Sequence, residues 1–177
     1  IGGSESFAIQ ADVYYHIETV STNGGAVPGA QGLASTNFDW NNIMSTGALA
    51  AIFAANVATN DTPEWWLAAH GLSGDPNEQA LADVDGDGHP AWAEYKAGTD
   101  PTDSVSVLLI EGVDLSSPVG PILTWSSAED RSYTLQFSTN LLAGYVDLDT
   151  GVIAVPPLNT YTALVEDAVR FFRIGVE

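Results

Sequence analysis

A mainly β protein carrying a small helical segment is the fold class this sequence predicts, and three observations predict it. Residues 7–17 alternate apolar and polar side chains. Residues 62–98 hold helix start and stop signals on either side of an acidic Asp-Gly loop. From Ser104 onward, short β-rich runs follow one another between turn residues. Period-two alternation marks half-buried strands, and strands repeated at short intervals with turns between them suggest two packed antiparallel sheets. A chain of 177 residues can form one domain or two. The pattern divides this one into residues 1–61 (strand, loops and a helix), 62–103 (helix and acidic loop) and 104–177 (an antiparallel β-sandwich).

Phe7, Ile9, Ala11, Val13, Tyr15 and Ile17 fall on one face of the first run, with Gln10, Asp12, Tyr14, His16 and Glu18 on the other. One long half-buried strand over residues 7–17 is expected, beyond the usual five or six residues, with His16 an exposed cross-strand neighbour. Residues 22–42 are rich in Gly, Ser, Thr and Asn and read as loops with one short strand. Ser45 or Thr46 then caps an Ala-rich helix over residues 48–58, apolar all round and therefore buried. Thr62 as cap, Pro63 in the first turn and Gly71 as stop define a second helix. His70 suits the negative end of that helix, and Asp75-Pro76-Asn77-Glu78 reads as a capping box. In the last third, strands are expected over residues 105–113, 122–127, 132–138, 145–148, 152–155, 161–165 and 170–176. Trp125, Leu135, Phe137 and Phe172 are the expected core there, with Arg131 and Arg173 outside it.

The most specific chemistry lies in Asp83-Val84-Asp85-Gly86-Asp87-Gly88-His89-Pro90-Ala91-Trp92-Ala93-Glu94. A twelve-residue loop wraps Ca²⁺ with carboxylates at positions 1, 3 and 5, a glycine at 6, a backbone carbonyl at 7 and a bidentate Glu at 12. Asp83, Asp85, Asp87, Gly88 and Glu94 fill those places, and His89 offers its main-chain carbonyl rather than its ring. Ala91 has no side-chain oxygen, which leaves position 9 to a water. Pro90 lacks the N–H with which position 8 bridges to a partner loop, so the loop is expected to stand alone as a structural clamp. The exiting helix should run from Pro90 through Ala97, with Gly98 as its left-handed stop. Lone loops of this kind bind at roughly 10⁻⁴–10⁻³ M, the range of extracellular modules. Asp100 and Asp103 read as turn residues.

Composition points the same way. The chain carries 23 acidic residues against four basic ones (Lys96, Arg131, Arg170 and Arg173), a net charge of -19. Such a field repels nucleic acid and anionic membranes, and no basic stripe offsets it. No run approaches the roughly 18 apolar residues of a membrane span. There is no cysteine, so neither disulfides nor thiol chemistry operate. Ile1-Gly2-Gly3 does not resemble an initiator end, and the chain is read as a secreted product whose leader has been removed. Catalysis has no constellation to carry it. Gly71-Leu72-Ser73-Gly74 lacks the glycine spacing of a nucleophile elbow, and His16, His70 and His89 form no ligand pair. The expectation is that the protein is not an enzyme.

Thr62-Pro63-Glu64-Trp65-Trp66, the Asp83–Gly88 run and Glu94-Tyr95-Lys96-Ala97-Gly98-Thr99-Asp100-Pro101 together resemble a module found at the C-termini of secreted bacterial surface proteins. Its calcium loop is similar to those of dockerins and thrombospondin type 3 repeats. A β-sandwich of immunoglobulin or fibronectin type III character follows it. Residues 133–141 and 170–174 look like that sandwich's signature strands. The resemblance covers residue 62 to the end and implies calcium ligation by Asp83, Asp85, Asp87 and Glu94. It departs from the pattern at Pro90 and Ala91. An extracellular or cell-surface structural subunit follows as the expected function, self-assembling with copies of itself into a filament, tube or surface layer. Strand 7–17 would be donated to a neighbour's sheet. The other reading is an adhesive module that stacks carbohydrate on Trp40, Trp65, Trp66 or Trp92.

Overall fold

A computed structural model describes residues 2–142, 144–164 and 171–177. The fold is mixed, with several antiparallel sheets and short helices. It divides into two compact units, Ile1–Gln79 and Ala80–Glu177. The segment read from sequence as 62–103 is therefore shared between them.

The first unit holds β1 (Gly3–Gln10), β2 (Tyr15–Thr22), β3 (Gly25–Val27), β4 (Ser35–Ile43) and β5 (Leu49–Ala55). β1 pairs antiparallel with β4, placing Phe7 opposite Phe38 and Ile9 opposite Thr36. β2 pairs antiparallel with both β3 and β5. Ile9, Ile17, Val20 and Ala30 form the buried centre, with Val27, Phe38, Leu49 and Ala51 around it. Both sheets thus contribute to one small core. Asn23 and Gly24, at φ 48° and 81°, make the two-residue turn that closes β2 onto β3.

Two expectations are corrected here. The single strand over residues 7–17 is two strands in different sheets. The chain turns at residues 11–14, where Tyr14 takes φ 68° and the Tyr15 N–H donates to the Asp12 carbonyl at 3.1 Å. The six apolar positions do not share a face in the folded chain. Ile9, Ala11 and Ile17 are buried, whereas Phe7, Tyr15 and above all Val13 (74 % exposed) are not. Alternation gave no warning, because Ile9 and Ile17 return to the same core on either side of the corner. His16 is half-buried, its Nδ1 2.8 Å from Asn56 Oδ1. The second correction concerns residues 48–58, expected as a helix and found as the strand β5. Alanine's helical preference is worth only tenths of a kcal/mol per residue, and it yields to the ladder with β2. The segment read as loops contains the nine-residue β4 besides the short β3.

Helix α1 (Glu64–Ala69) begins after Pro63 and ends at His70, with Gly71 following at φ 74°. Gly71 thus occupies the stop position expected for it. Thr62 is not the cap; it is buried and its hydroxyl donates to the Thr59 carbonyl at 2.8 Å. α2 (Pro76–Leu81) is capped by Asp75, whose Oδ1 accepts from the N–H groups of Asn77 and Glu78 at 2.9 and 3.2 Å.

The second unit continues from Ala80 through α3 (Ala91–Ala97) to β6 (Ile110–Asp114), β7 (Ile122–Ser126), β8 (Ser132–Ser138), β9 (Val146–Ile153), β10 (Leu158–Thr162) and β11 (Phe171–Val176). Two three-stranded antiparallel sheets result, ordered β10-β7-β6 and β11-β8-β9. Leu123 and Trp125 of the first meet Tyr133 and Leu135 of the second in one cluster, all fully buried. Trp125 and Tyr133 meet edge to face at 5.8 Å, and the Tyr133 hydroxyl accepts the Ala128 N–H at 2.9 Å. Trp125, Leu135 and Phe172 take the expected core positions, but Phe137 lies outside that cluster. The two strands expected over 145–148 and 152–155 are one, β9, carried through Gly151 at φ 64°. The strand expected from 105 begins only at Ile110, and the one expected from 161 begins at Leu158. Val165 and Arg170 lie outside the described residues.

Candidate metal-binding site

The acidic loop joins the end of α2 to the start of α3, and one backbone bond closes it: the Ala91 N–H donates to the Ala82 carbonyl at 2.9 Å. Gly86 and Gly88, at φ 82° and 96°, adopt conformations that side chains other than glycine resist. They curl the chain so that its amides turn inward onto the aspartates. Asp83 takes the N–H groups of Gly86 and Gly88 at 2.8 and 2.9 Å, one on each carboxylate oxygen. Asp85 accepts from the Asp87 N–H at 3.2 Å, and Asp87 accepts from the His89 N–H at 2.7 Å. Carboxylate oxygens of Asp83, Asp85 and Asp87 lie within 4.8 Å of one another.

Glu94 enters from the first turn of α3 and is 2 % exposed. Its Oε1 accepts the Thr99 hydroxyl at 3.3 Å. Among the described residues its Oε2 has no hydrogen-bond partner, and neither has Asp85 Oδ2 or Asp87 Oδ2, although all three oxygens are buried. Burial, reinforced by the negative charges of Asp85 and Asp87, pushes the Glu94 carboxyl up from 4.5 to about 7. Buried carboxylate oxygens are normally satisfied, and an unpaired one costs several kcal/mol. An all-oxygen donor set with this charge suits a hard divalent cation.

The structure clusters Asp83, Asp85 and Asp87; Glu94 stands outside that 4.8 Å group but close enough for the charges of Asp85 and Asp87 to act on it. His89 presents its ring to solvent, with Nδ1 3.2 Å from Asp87 Oδ1. Ala91, at position 9, is fully buried. Sequence reasoning missed Thr99, which follows the helix stop and holds Glu94 from behind. It also missed the anchorage of α3 on the sheets. Gly98 ends the helix at φ 77° with its N–H on the Glu94 carbonyl at 2.7 Å. Arg131, expected outside, is half-buried and donates to the Tyr95 carbonyl at 2.7 Å. Asp100 and Asp103 serve turns, accepting from Thr102 and from the Val105 N–H respectively.

Of the candidate stacking residues, Trp40, Trp66 and Trp92 are half-buried. Lys96 lies 5.6 Å over the Trp92 ring, the His70 ring contacts Trp66 at 4.4 Å, tilted by 47°, and Phe38 meets Trp40 edge-on at 6.1 Å. Trp65 is 40 % exposed.

No protein-family model, curated protein or solved structure matches this chain. The resemblance drawn from residues 62 onward therefore rests on its motifs alone.

Proposed function

We propose that this protein is an extracellular calcium-binding structural subunit that self-assembles into a filament, tube or surface layer. The observation that carries the calcium reading is the set of three buried, unpaired carboxylate oxygens on Asp85, Asp87 and Glu94. Asp83 and the His89 carbonyl complete the loop's donor set, and one Ca²⁺ would meet the charge that the fold leaves exposed to itself. The ion would act as a clamp. Glu94 belongs to α3, Thr99 and Gly98 end it, and Arg131 ties it to the β8 end of the sheets, so fixing Glu94 fixes the helix on its support. We read the paired sheets beyond it as a sandwich of the immunoglobulin or fibronectin type III kind.

Calorimetric titration of the purified protein tests this directly. Saturable binding of one Ca²⁺, lost in Asp85→Ala, is the expected result. The parent should gain stability as RT ln(1 + [Ca²⁺]/Kd), roughly 2.7 kcal/mol at a hundredfold excess over Kd. Equal melting of parent and variant, with and without chelator, would remove the clamp.

For assembly, strand exchange remains the favoured route, with β1 rather than the whole of residues 7–17 as the exchanged piece. Among the described residues β1 pairs with β4 alone and its one buried side chain is Ile9, so a neighbour's β1 would restore to the core what the departing strand removes. Head-to-tail exchange of that kind gives an open polymer. Deleting residues 2–10 should abolish polymers seen by negative-stain microscopy, and polymers that persist would refute exchange.

A further inference from the structure

β5 is an edge strand. Its sheet is ordered β3-β2-β5, and among the described residues no strand pairs with its far side. Its sequence, Leu-Ala-Ala-Ile-Phe-Ala-Ala, contains no charge, no proline and no glycine. Natural edges usually carry a lysine, a proline or a bulge that discourages pairing; β5 has neither lysine nor proline, and the one register shift in its ladder places the extra residue on β2, between Ile17 and Thr19. In a chain of net charge -19, β5 itself adds no carboxylate to a contact between two copies; Asp12 lies near it, lining a hollow with Phe53. Ile52 is 56 % and Phe53 41 % exposed, an apolar surface that burial would favour.

Backbone direction decides what can dock. The Ala48 carbonyl accepts from Asn23 and the Asn56 N–H donates to the Tyr14 carbonyl, both on the β2 side. Peptide groups alternate sides along a strand, so even-numbered residues of β5 serve β2, and Leu49, Ala51, Phe53 and Ala55 direct N–H and C=O to the free edge. An antiparallel copy centred on Ile52 sets residue 49 against 55 and 51 against 53. Every outward-facing residue then meets another outward-facing residue. The same register places Leu49 opposite Ala55 and Phe53 opposite Ala51, large against small, with Ala50 opposite Ala54. Only Ile52 faces itself, on the two-fold axis.

We propose that β5 is a self-complementary docking edge, and that two copies of this chain join their β3-β2-β5 sheets through antiparallel β5–β5 pairing centred on Ile52. The proposal rests on the self-assembly reading and supplies it with a specific contact, a two-fold one separate from the β1–β4 edge.

The chain has no cysteine, which makes single-cysteine crosslinking a clean test. At a non-hydrogen-bonded antiparallel pair the two Cα atoms lie about 4.5 Å apart, within the span a disulfide bridges. Ile52→Cys in the full chain should give a linked dimer under mild air oxidation, seen on a non-reducing gel. Ala50→Cys and Ala54→Cys should each stay unlinked alone and link when mixed. Ala51→Pro, which removes an outward N–H and spares the β2 ladder, should abolish the two-fold contact while leaving the circular dichroism spectrum of the fold intact. Polymers that form while Ile52→Cys stays unlinked would overturn this pairing and leave self-assembly standing. Equal linking by all three cysteines, which is collision without register, would overturn it too. A parent that is monomeric at every concentration, with or without calcium, would overturn both.

Discussion

A carboxyl as enclosed as that of Glu94 must either find a cation or keep its proton, and the two choices have opposite dependences on pH. Folding raises its pKa from 4.5 to about 7, so in the absence of metal the folded protein binds that proton more tightly than the unfolded chain does. The associated stability is fully present below about 4.5 and is lost as pH rises through about 7. Metal-free parent should therefore lose up to about 3 kcal/mol across that window, measured by urea denaturation in chelator. Glu94→Gln should flatten the difference, and calcium should reverse it, because the ion takes the anionic form. A Gln variant with the parent's slope would show that Glu94 is not the group responsible. The acidic cluster was legible because the twelve-residue calcium pattern specifies residue type at fixed intervals, and the fold gathers Asp83, Asp85 and Asp87. Thr99 was not readable, since a threonine behind a glutamate has many ordinary uses and only the folded geometry shows which applies.

Among elements, α3 was predictable to within a residue and β5 was not predictable at all. Gly98 and Pro90 are local signals whose effect is confined to the residues beside them. By contrast, the state of residues 49–55 depends on β2, a partner some thirty positions away. The break at Tyr14 escaped for a related reason, since alternation records which face is buried and says nothing of which sheet. Asn23-Gly24, a hairpin signal, lay inside a segment read as loops and could have placed β3. The stop at Gly98 also supports a test of how α3 sits on the sheets. A Cβ there would fall 2.5 Å from the Ala128 Cβ, whereas at Gly71, at a similar φ of 74°, it would meet nothing within 4 Å. Both Gly→Ala changes carry the left-handed penalty of about 1–2 kcal/mol, but Gly98→Ala should cost more by urea denaturation. Adding Ala128→Gly should recover the excess. Equal costs at positions 71 and 98 would mean that α3 does not press on the 127–131 turn.

At the scale of the whole chain, a net charge of -19 is a standing self-repulsion that one bound Ca²⁺ would reduce by only two charges. Salt screening should therefore stabilise both units, since charges beyond a Debye length of about 8–10 Å cease to interact at moderate ionic strength. Calcium should act differently, because its candidate ligands, Asp83 to Glu94, all belong to Ala80–Glu177. A ligand that binds one folded unit raises the stability of that unit alone, provided the units unfold separately. Scanning calorimetry of the full chain should then resolve two transitions. Sodium chloride should raise both, whereas chelator should lower only the one that Asp85→Ala also lowers. The insensitive transition should respond instead to Ile17→Ala, which empties a fully buried position in the first unit at a cost of about 2–5 kcal/mol. A single transition that chelator lowers as a whole would show that the chain unfolds as one cooperative body, and would extend the proposed clamp's reach from α3 to the whole molecule.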